Sequence, residues 1–463
     1  MRAFAAFCLS ACAAFTLSSA LAWEMGDPIV TYWAGPGFPH HPEKLTERAA
    51  RQLKEGGFNA AWVYTREELD VCRKYGIRGI LNLRFHVMKE LTGNRKQELA
   101  DKIRSLKDHP ALYMYHHADE PNAPKFGPIA EAHEWIRSVD PTHPTWSNLL
   151  AIYSWNKQLG IDEDVKDGYR EHVRRYCDIY RPQFLSFGHY QFNVGYDMQK
   201  WFSNLEIIRQ SAVDRNVPYI AGVQACTWKP GKLVSPDAPR IPGPAEMRYL
   251  VYTSLAYGAQ GIYYYVYSFP GHFGAIAELD GTTGDKYEEL KTLNPAFVAI
   301  AKELRPLRFA GGFAQGELPP SVTPYCPQAI LRLEPEFPSV KPTGKQYVDT
   351  GTLVTPATRM VLDFARTEGS SAGTLGGVEV NGNHFFFGGM TADGFVALLA
   401  DVNDTKTVTD AAGVAVPLDT ERHVFDLACN CQRFDDREFS DLKYTFSSSG
   451  GATLFLFARR TWW

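Results

Sequence analysis

Between Pro28 and Leu304 the chain alternates short apolar runs with longer stretches whose apolar residues recur at helical spacing. Pro28–Tyr32 reads as a first strand, and Pro42–Gly56 carries Leu45, Ala49 and Leu53 on one helical face before Gly56-Gly57 ends it. The strand series continues with Phe58–Tyr64, Gly79–Phe85, Ala111–Tyr115, Thr145–Leu150, Phe184–Tyr190, Pro218–Thr227 and Gly261–Tyr267. Helices are expected over Glu67–Tyr75, Lys96–Leu106, Ile129–Val139, Asp164–Tyr180, Leu205–Arg215, Glu246–Tyr257 and Tyr287–Leu304. Eight such strand–helix units in roughly 280 residues have the size and rhythm of a (β/α)8 barrel. A doubly wound open sheet is the alternative, but no G-x-G-x-x-G or phosphate-binding loop follows any strand.

After Leu304 the pattern changes. Residues 309–345 are rich in Pro and Gly, as linkers and edge strands are. From 346 to 463, short alternating runs such as Met360–Phe364, His384–Phe387 and Thr453–Phe457 are separated by Gly, Asn and Asp, which predicts an all-β sandwich. The domains expected are therefore a signal segment at 1–22, a barrel at 23–308, a linker at 309–345 and a sandwich at 346–463.

The first 22 residues are a targeting segment: Arg2, an apolar run from Ala3 to Leu21, and an A-x-A cleavage site at Ala20-Leu21-Ala22. Export to the periplasm or beyond follows, with lipid attachment at Cys12, through Leu9-Ser10-Ala11-Cys12, as the alternative. No later stretch is apolar enough to span a bilayer. Six cysteines remain outside that segment, at irregular spacing, so no disulfide pair is assigned. The net charge of −4 gives no basic footprint for nucleic acid. With 10 Trp, 23 Tyr and 28 Phe, the chain can both fill a core and line a cleft in which sugar rings stack.

Candidate chemistry is concentrated at Ala111–Asn122, ALYMYHHADEPN. An apolar strand opens into His116, His117, Asp119 and Glu120, and Pro121, lacking an N–H, ends it. In a barrel this is the C-terminal mouth of a strand, where active sites are built. Glu120 reads as a catalytic general acid/base or, alternatively, as a loop acid capping the next helix. The other strand ends bring Trp33, Arg84, His86, Asn148, His189, Tyr190, Gln224, Trp228 and Tyr265 to the same mouth. Of these, Trp33, Arg84, Asn148, His189, Tyr190, Gln224, Trp228 and Tyr265, together with His117, are the expected substrate contacts. His116 and His117 are consecutive and face opposite sides of a strand, and no H-x-H or H-E-x-x-H spacing occurs, so no metal and no cofactor is expected.

Residues 28–308 resemble the (β/α)8 glycoside hydrolase superfamily, the clan of β-galactosidase-like and cellulase-like enzymes. The resemblance rests on Asp119-Glu120-Pro121-Asn122, Asp140-Pro141-Thr142-His143-Pro144, Ser186–Tyr190 and Tyr257–Tyr264. It implies that Glu120 is the acid/base glutamate at the end of strand four. It also implies a nucleophilic glutamate at the end of strand seven, where this chain reads Gly222–Trp228 and holds no acid. Relatives that read D-H-Y on strand six have an aspartate where Gly188 stands here. The partner carboxylate is therefore open among Asp119, Asp197, Glu246, Glu278 and Asp280. Asp119, adjacent to Glu120, would point the other way in an extended strand. Glu278 could reach back over the mouth, and Glu246 suits the first turn of its helix. Gln346–Gly351, Thr358–Leu362 and Thr453–Arg459 are similar to concanavalin-A-like, laminin-G-type jelly rolls, one or two strands short at Trp463. The resemblance implies a secreted glycoside hydrolase acting on a poly- or oligosaccharide. A barrel that binds carbohydrate without cleaving it is the alternative.

Overall fold

The computed structural model describes residues 23–193, 200–228 and 238–305, and beyond them the backbone of short strands between 308 and 458. Its parallel strands are β1 (Ile29–Tyr32), β2 (Ala60–Val63), β3 (Arg78–Asn82), β4 (Leu112–Asp119), β5 (Thr145–Asn148), β6 (Leu185–Phe187), β7 (Tyr219–Gln224) and β8 (Gly261–Tyr265). They lie in two sheets, ordered β2-β3-β4-β5 and β1-β8-β7-β6. Two seams join the sheets. Leu149, just past β5, forms a parallel bridge to Phe187 and donates its N–H to the Ser186 carbonyl at 2.8 Å. Asn59, just before β2, donates its N–H to the Val30 carbonyl at 3.0 Å and accepts the Val30 N–H on Oδ1 at 2.9 Å. The strands thus run from β1 to β8 and back in one closed ring, the barrel that the alternation predicts.

The helices on the outside are α1 (Glu47–Glu55), α2 (Arg66–Tyr75), α3 (Arg95–Leu106), α4 (Phe126–Val139), α5 (Asn156–Leu159), α6 (Gly168–Tyr180), α7 (Trp201–Asp214), α8 (Pro244–Ala256) and α9 (Asp285–Leu304). Local chemistry sets their ends. The Thr46 side chain accepts the Ala49 N–H, so α1 starts at Glu47 rather than at Pro42. Thr65 and Glu68 form a reciprocal capping box on α2, and Gly76 in the left-handed conformation (φ 63°) closes it. Strand β6 is shorter than its apolar run, because His189 turns away to pair with Asn204 of α7.

The ring is filled by rings. Trp33, just past β1, meets Trp62 of β2, His116 of β4 and Trp146 of β5 edge-on at centroid distances of 5.6, 5.3 and 5.3 Å. Tyr263 of β8 packs against Trp33 at 5.4 Å. Trp62, Trp146 and Tyr263 have no exposed surface. This layer blocks the barrel axis and makes the mouth above it a closed-bottomed bowl.

Beyond 307 the strands pair, mostly antiparallel, into a sheet of six and a sheet of five. One of them, Arg308–Gln315, pairs with His384–Thr391 inside the stretch read as linker or edge strand. The rest of the jelly-roll reading, the 1–22 signal segment with Cys12, and Asp197 fall outside the described residues. Cys72, Cys177 and Cys226 are buried and free. Among the described residues no helix is long and apolar enough to cross a membrane.

The Asp140–Pro144 stretch proves to be a fold element. Asp140 is fully buried at the end of α4. Its carboxylate accepts from Tyr115 OH (2.5 Å), the Thr142 N–H (2.9 Å), Thr142 Oγ1 (2.6 Å) and His143 Nδ1 (2.7 Å). Burial alone would raise this carboxyl, but the hydrogen bonds from His143, Thr142 and Tyr115 outweigh it and hold it well below the usual carboxylate range. Its folded pKa is depressed, so its contribution to stability is full above the unfolded value of about 4 and is lost as pH falls towards the folded one. Asp140→Asn should therefore cost about 2–4 kcal/mol at pH 7, and the gap from wild type should narrow below pH of about 4. Urea unfolding measured from pH 7 to pH 3 checks both.

Candidate active site

The site begins with an irregularity in β4. Opposite β5, His116 pairs with Trp146, Ala118 with Ser147, and Asp119 with Asn148, so His117 is an extra residue, a bulge. Paired residues on neighbouring strands share a face. Trp146 and Asn148 point into the barrel, Asn148 accepting a hydrogen bond from Tyr263 OH at 3.2 Å. His116 and Asp119 therefore both point inward. Strict alternation from His116 would have turned Asp119 out. The expectation that Asp119 faces away is corrected by this one extra residue.

Glu120 follows with φ 43°, a left-handed conformation that costs a non-glycine residue about 1 kcal/mol or more. Its N–H continues the ladder to the Asn148 carbonyl at 2.8 Å. Arg84, at the end of the neighbouring strand β3, is also left-handed, with φ 55°. Two strained residues at adjacent strand ends mark the rim of the mouth.

Asp119 borders a cavity of about 500 Å³ whose walls include Trp33 and Phe38 from the loop after β1, Asn82 and Arg84 from the end of β3, and His116. Its carboxylate is open to solvent on the cavity side and ringed by protein elsewhere. It is pushed up to about 7, first by burial and then by the charge of Glu120, with hydrogen bonding from Asn148 working the other way. Burial raises the Glu120 carboxyl as well. Both acids also neighbour the tyrosines of the other half of the mouth. Burial raises the phenols of Tyr153, Tyr190, Tyr263 and Tyr265; the charge of Glu120 adds to all four, and that of Asp119 adds more than Glu120 at Tyr263 and Tyr265. Half-buried Tyr190, Trp228 and Tyr265 form an aromatic wall there, with centroids 4.7–5.3 Å apart. Tyr265 OH is in turn 3.0 Å from His272 Nε2. The acid pair stands between a cavity on the β1–β4 side and an aromatic wall on the β6–β8 side.

Of the residues read from sequence as substrate contacts, Trp33, Arg84, His117, Asn148, Tyr190, Trp228 and Tyr265 lie at this mouth or in its walls, His117 with both ring nitrogens already engaged. Three have polar atoms engaged by the protein itself, although Nε2 of His189 has no partner among the described residues. Gln224 is fully buried and spans two loops, accepting the Phe192 N–H (2.8 Å) and donating to the carbonyls of Phe192 (3.0 Å) and Arg240 (2.9 Å). His117 lies outward of the strand, its ring nitrogens on the His86 carbonyl (2.8 Å) and Tyr180 OH (3.4 Å). His189 is fully buried against Tyr153 and Trp201, with Nδ1 on Asn204; it braces the wall from behind. Glu278 does not join the acid pair either. It is exposed in a turn closed by its N–H to the Thr282 carbonyl, and α1 holds that turn through Gln52 to the Gly281 carbonyl (2.7 Å). Glu246 occupies the first turn of α8, ion-paired with Arg240 at 2.5 Å and capping Gly243. Sequence reasoning missed Tyr153 and His272, whose loops carry no strand signal. It also missed Phe38, which lies past the first strand.

No protein-family model matches the chain, and no curated protein matches it. Solved structures do, at low similarity. A β-galactosidase from the psychrophilic Marinomonas ef1 aligns over 61% of this chain and 62% of its own length, at 10% identity and a TM-score of 0.41. A GH128 endo-β-1,3-glucanase from Sorangium cellulosum aligns over 57% of this chain and 97% of its own, at 10% identity and a TM-score of 0.39. A family 5 mannosidase from Rhizomucor miehei aligns over 60% and 95%, at 12% identity and a TM-score of 0.39. The chain thus spans about three fifths of the β-galactosidase. Similarity at this level transfers no residue role.

Two outcomes follow from the charge coupling. In Glu120→Gln, the carboxyl of Asp119 should titrate at lower pH than in wild type, because a neighbouring negative charge is gone. Carbon-13 NMR of labelled aspartate reads this directly. Asp119 is raised above its unfolded value, so it withdraws stability as pH climbs from about 4 to about 7. Asp119→Asn should accordingly melt higher than wild type at pH 8 and match it at pH 4.

Proposed function

We propose that the protein hydrolyses glycosidic bonds of a poly- or oligosaccharide, with Glu120 as general acid/base and Asp119 as its immediate partner. One observation carries the reading: two adjacent carboxyls at the end of β4, both raised by burial, sit in an open mouth between a cavity and an aromatic wall. Like charges this close resist double ionisation, so near neutrality the pair retains one proton. An acid and a base then coexist at one rim, as protonation of a departing glycosidic oxygen requires. Partly exposed Tyr190, Trp228 and Tyr265 offer flat faces to sugar rings. Export through the 1–22 segment, with Cys12 lipidation as the alternative, belongs to the same proposal, as does a concanavalin-A-like domain at 346–463; both rest on sequence.

A second reading has its own support. At the end of β7, where the resembled clan has its nucleophile, Gln224 is buried and fully engaged. A barrel so built could hold a glycan without cutting it.

The test is Glu120→Gln on a glycan that wild type cleaves. Turnover should fall by about 10²-fold or more while binding is kept. Unchanged turnover removes Glu120 from the chemistry. If wild type binds glycans on an array but releases no sugar from any of them, the binding-only reading replaces this one.

A further inference from the structure

The cavity beside Asp119 has one basic wall, and its chemistry specifies more than sugar. Arg84 sits there, exposed, at the end of β3. Its backbone is fixed from both sides: Asn82 Oδ1 accepts its N–H at 2.8 Å, and Arg95 donates to its carbonyl at 2.6 Å. The N–H bond also settles the Asn82 amide, whose Nδ2 then donates to Nδ1 of buried His116 at 3.0 Å. The left-handed backbone of Arg84 is thereby tied to the aromatic core. The guanidinium lies 4.0 Å over the ring of Tyr64, which sets its plane.

Among the described residues no carboxylate lies within ion-pair distance of Arg84, and neighbouring Arg95 likewise donates only to carbonyls, those of Glu90 and Arg84. Its charged neighbours add to it. Lys102 of α3 lies close enough that the two cations disfavour each other, and His40 and His86 border the same cavity. The acids near this wall are Asp119 across the cavity, Glu90, whose carboxylate accepts the His86 N–H at 3.0 Å, and buried Glu68, which accepts the Tyr64 N–H at 2.6 Å and offsets part of the charge of Lys102. A held, planar, unmatched guanidinium in a concave site is built to receive an anion through two parallel hydrogen bonds.

We propose that this wall is a subsite for the anionic group of an acidic sugar, the carboxylate of a uronic acid or a sulfate ester, so that the glycan taken by the barrel is acidic. The proposal rests on the glycan reading above. Binding is measured on an array and by calorimetry with oligogalacturonides, sulfated galactan oligosaccharides and neutral oligosaccharides of equal length. Wild type should bind one of the two acidic sets about tenfold more tightly than the neutral set, as a charge-assisted contact predicts. The preferred set identifies the anion. That preference should weaken as NaCl is raised. Arg84→Gln should abolish the preference, and Arg84→Lys should restore part of it. Equal binding of acidic and neutral sets, or equal loss of both in Arg84→Gln, overturns the subsite and leaves the glycan reading standing. Binding to none of the three sets removes the glycan reading and the subsite with it.

Discussion

The mouth depends on the packing of Trp33 against three rings beneath it. Edge-on contacts with Trp62, His116 and Trp146 fill the barrel axis from β1, β2, β4 and β5 at once. Each such contact is worth about 0.5–1.5 kcal/mol beyond its buried area. Their joint effect is geometric. They give the bowl a rigid, water-excluding base, so the groups just above it are solvated from one side only. That one-sided solvation is why the carboxyls of Asp119 and Glu120 are raised although both reach the surface. Trp62 also donates its Nε1–H to the Tyr32 carbonyl at 2.6 Å, which ties the base to the first strand.

On that base a single extra residue decides which acid looks inward. Without the bulge at His117, Glu120 would continue the inward series and Asp119 would turn to the helices. With it, Asp119 joins Asn148 inside, and Glu120 follows in a left-handed turn at the rim, both acids acting on Tyr263 and Tyr265. The two carboxyls are then covalent neighbours at the rim of one bowl. A bulge beside a strained residue at a strand end is a costly local arrangement, and it persists because both seams and the aromatic layer hold β4 in place.

The barrel could be read from sequence because its signals are repeated and local. Apolar runs of strand length alternate with 3.6-residue periodicity, and stops such as Gly76 act within a few residues. The location of the acids was legible for the same reason, since Pro121 ends a strand wherever the strand lies. Facing was not. The bulge has no glycine or proline to announce it, and it exists only through pairing with β5, some 30 positions away. Gln224 and His189 looked like site residues because polar groups at strand ends usually are. Their engagement depends on loop carbonyls and on α7, which no local pattern encodes. Asp140 carried no assigned role in the sequence, and only the structure shows that it ties the end of α4 to β4 through Tyr115 and to the loop before β5 through His143.

The tyrosines bear on how such a pair could work. A glycosidase with two carboxyls places them about 5–9.5 Å apart, on opposite faces of the bond, whereas neighbours on one strand end can serve only one face. A phenolate across the mouth could in principle take the second role. Burial first, then the neighbouring phenols at Tyr190, and Cys226 and Asp119 at Tyr265, raise both tyrosines, which keeps both hydroxyls protonated. They are therefore available as hydrogen-bond donors and are poor nucleophiles. Under the hydrolytic reading, the chain's own contribution is to deliver a proton from the rim of β4 and to hold the ring against Tyr190, Trp228 and Tyr265. The attacking group must then approach from the side those aromatics leave open.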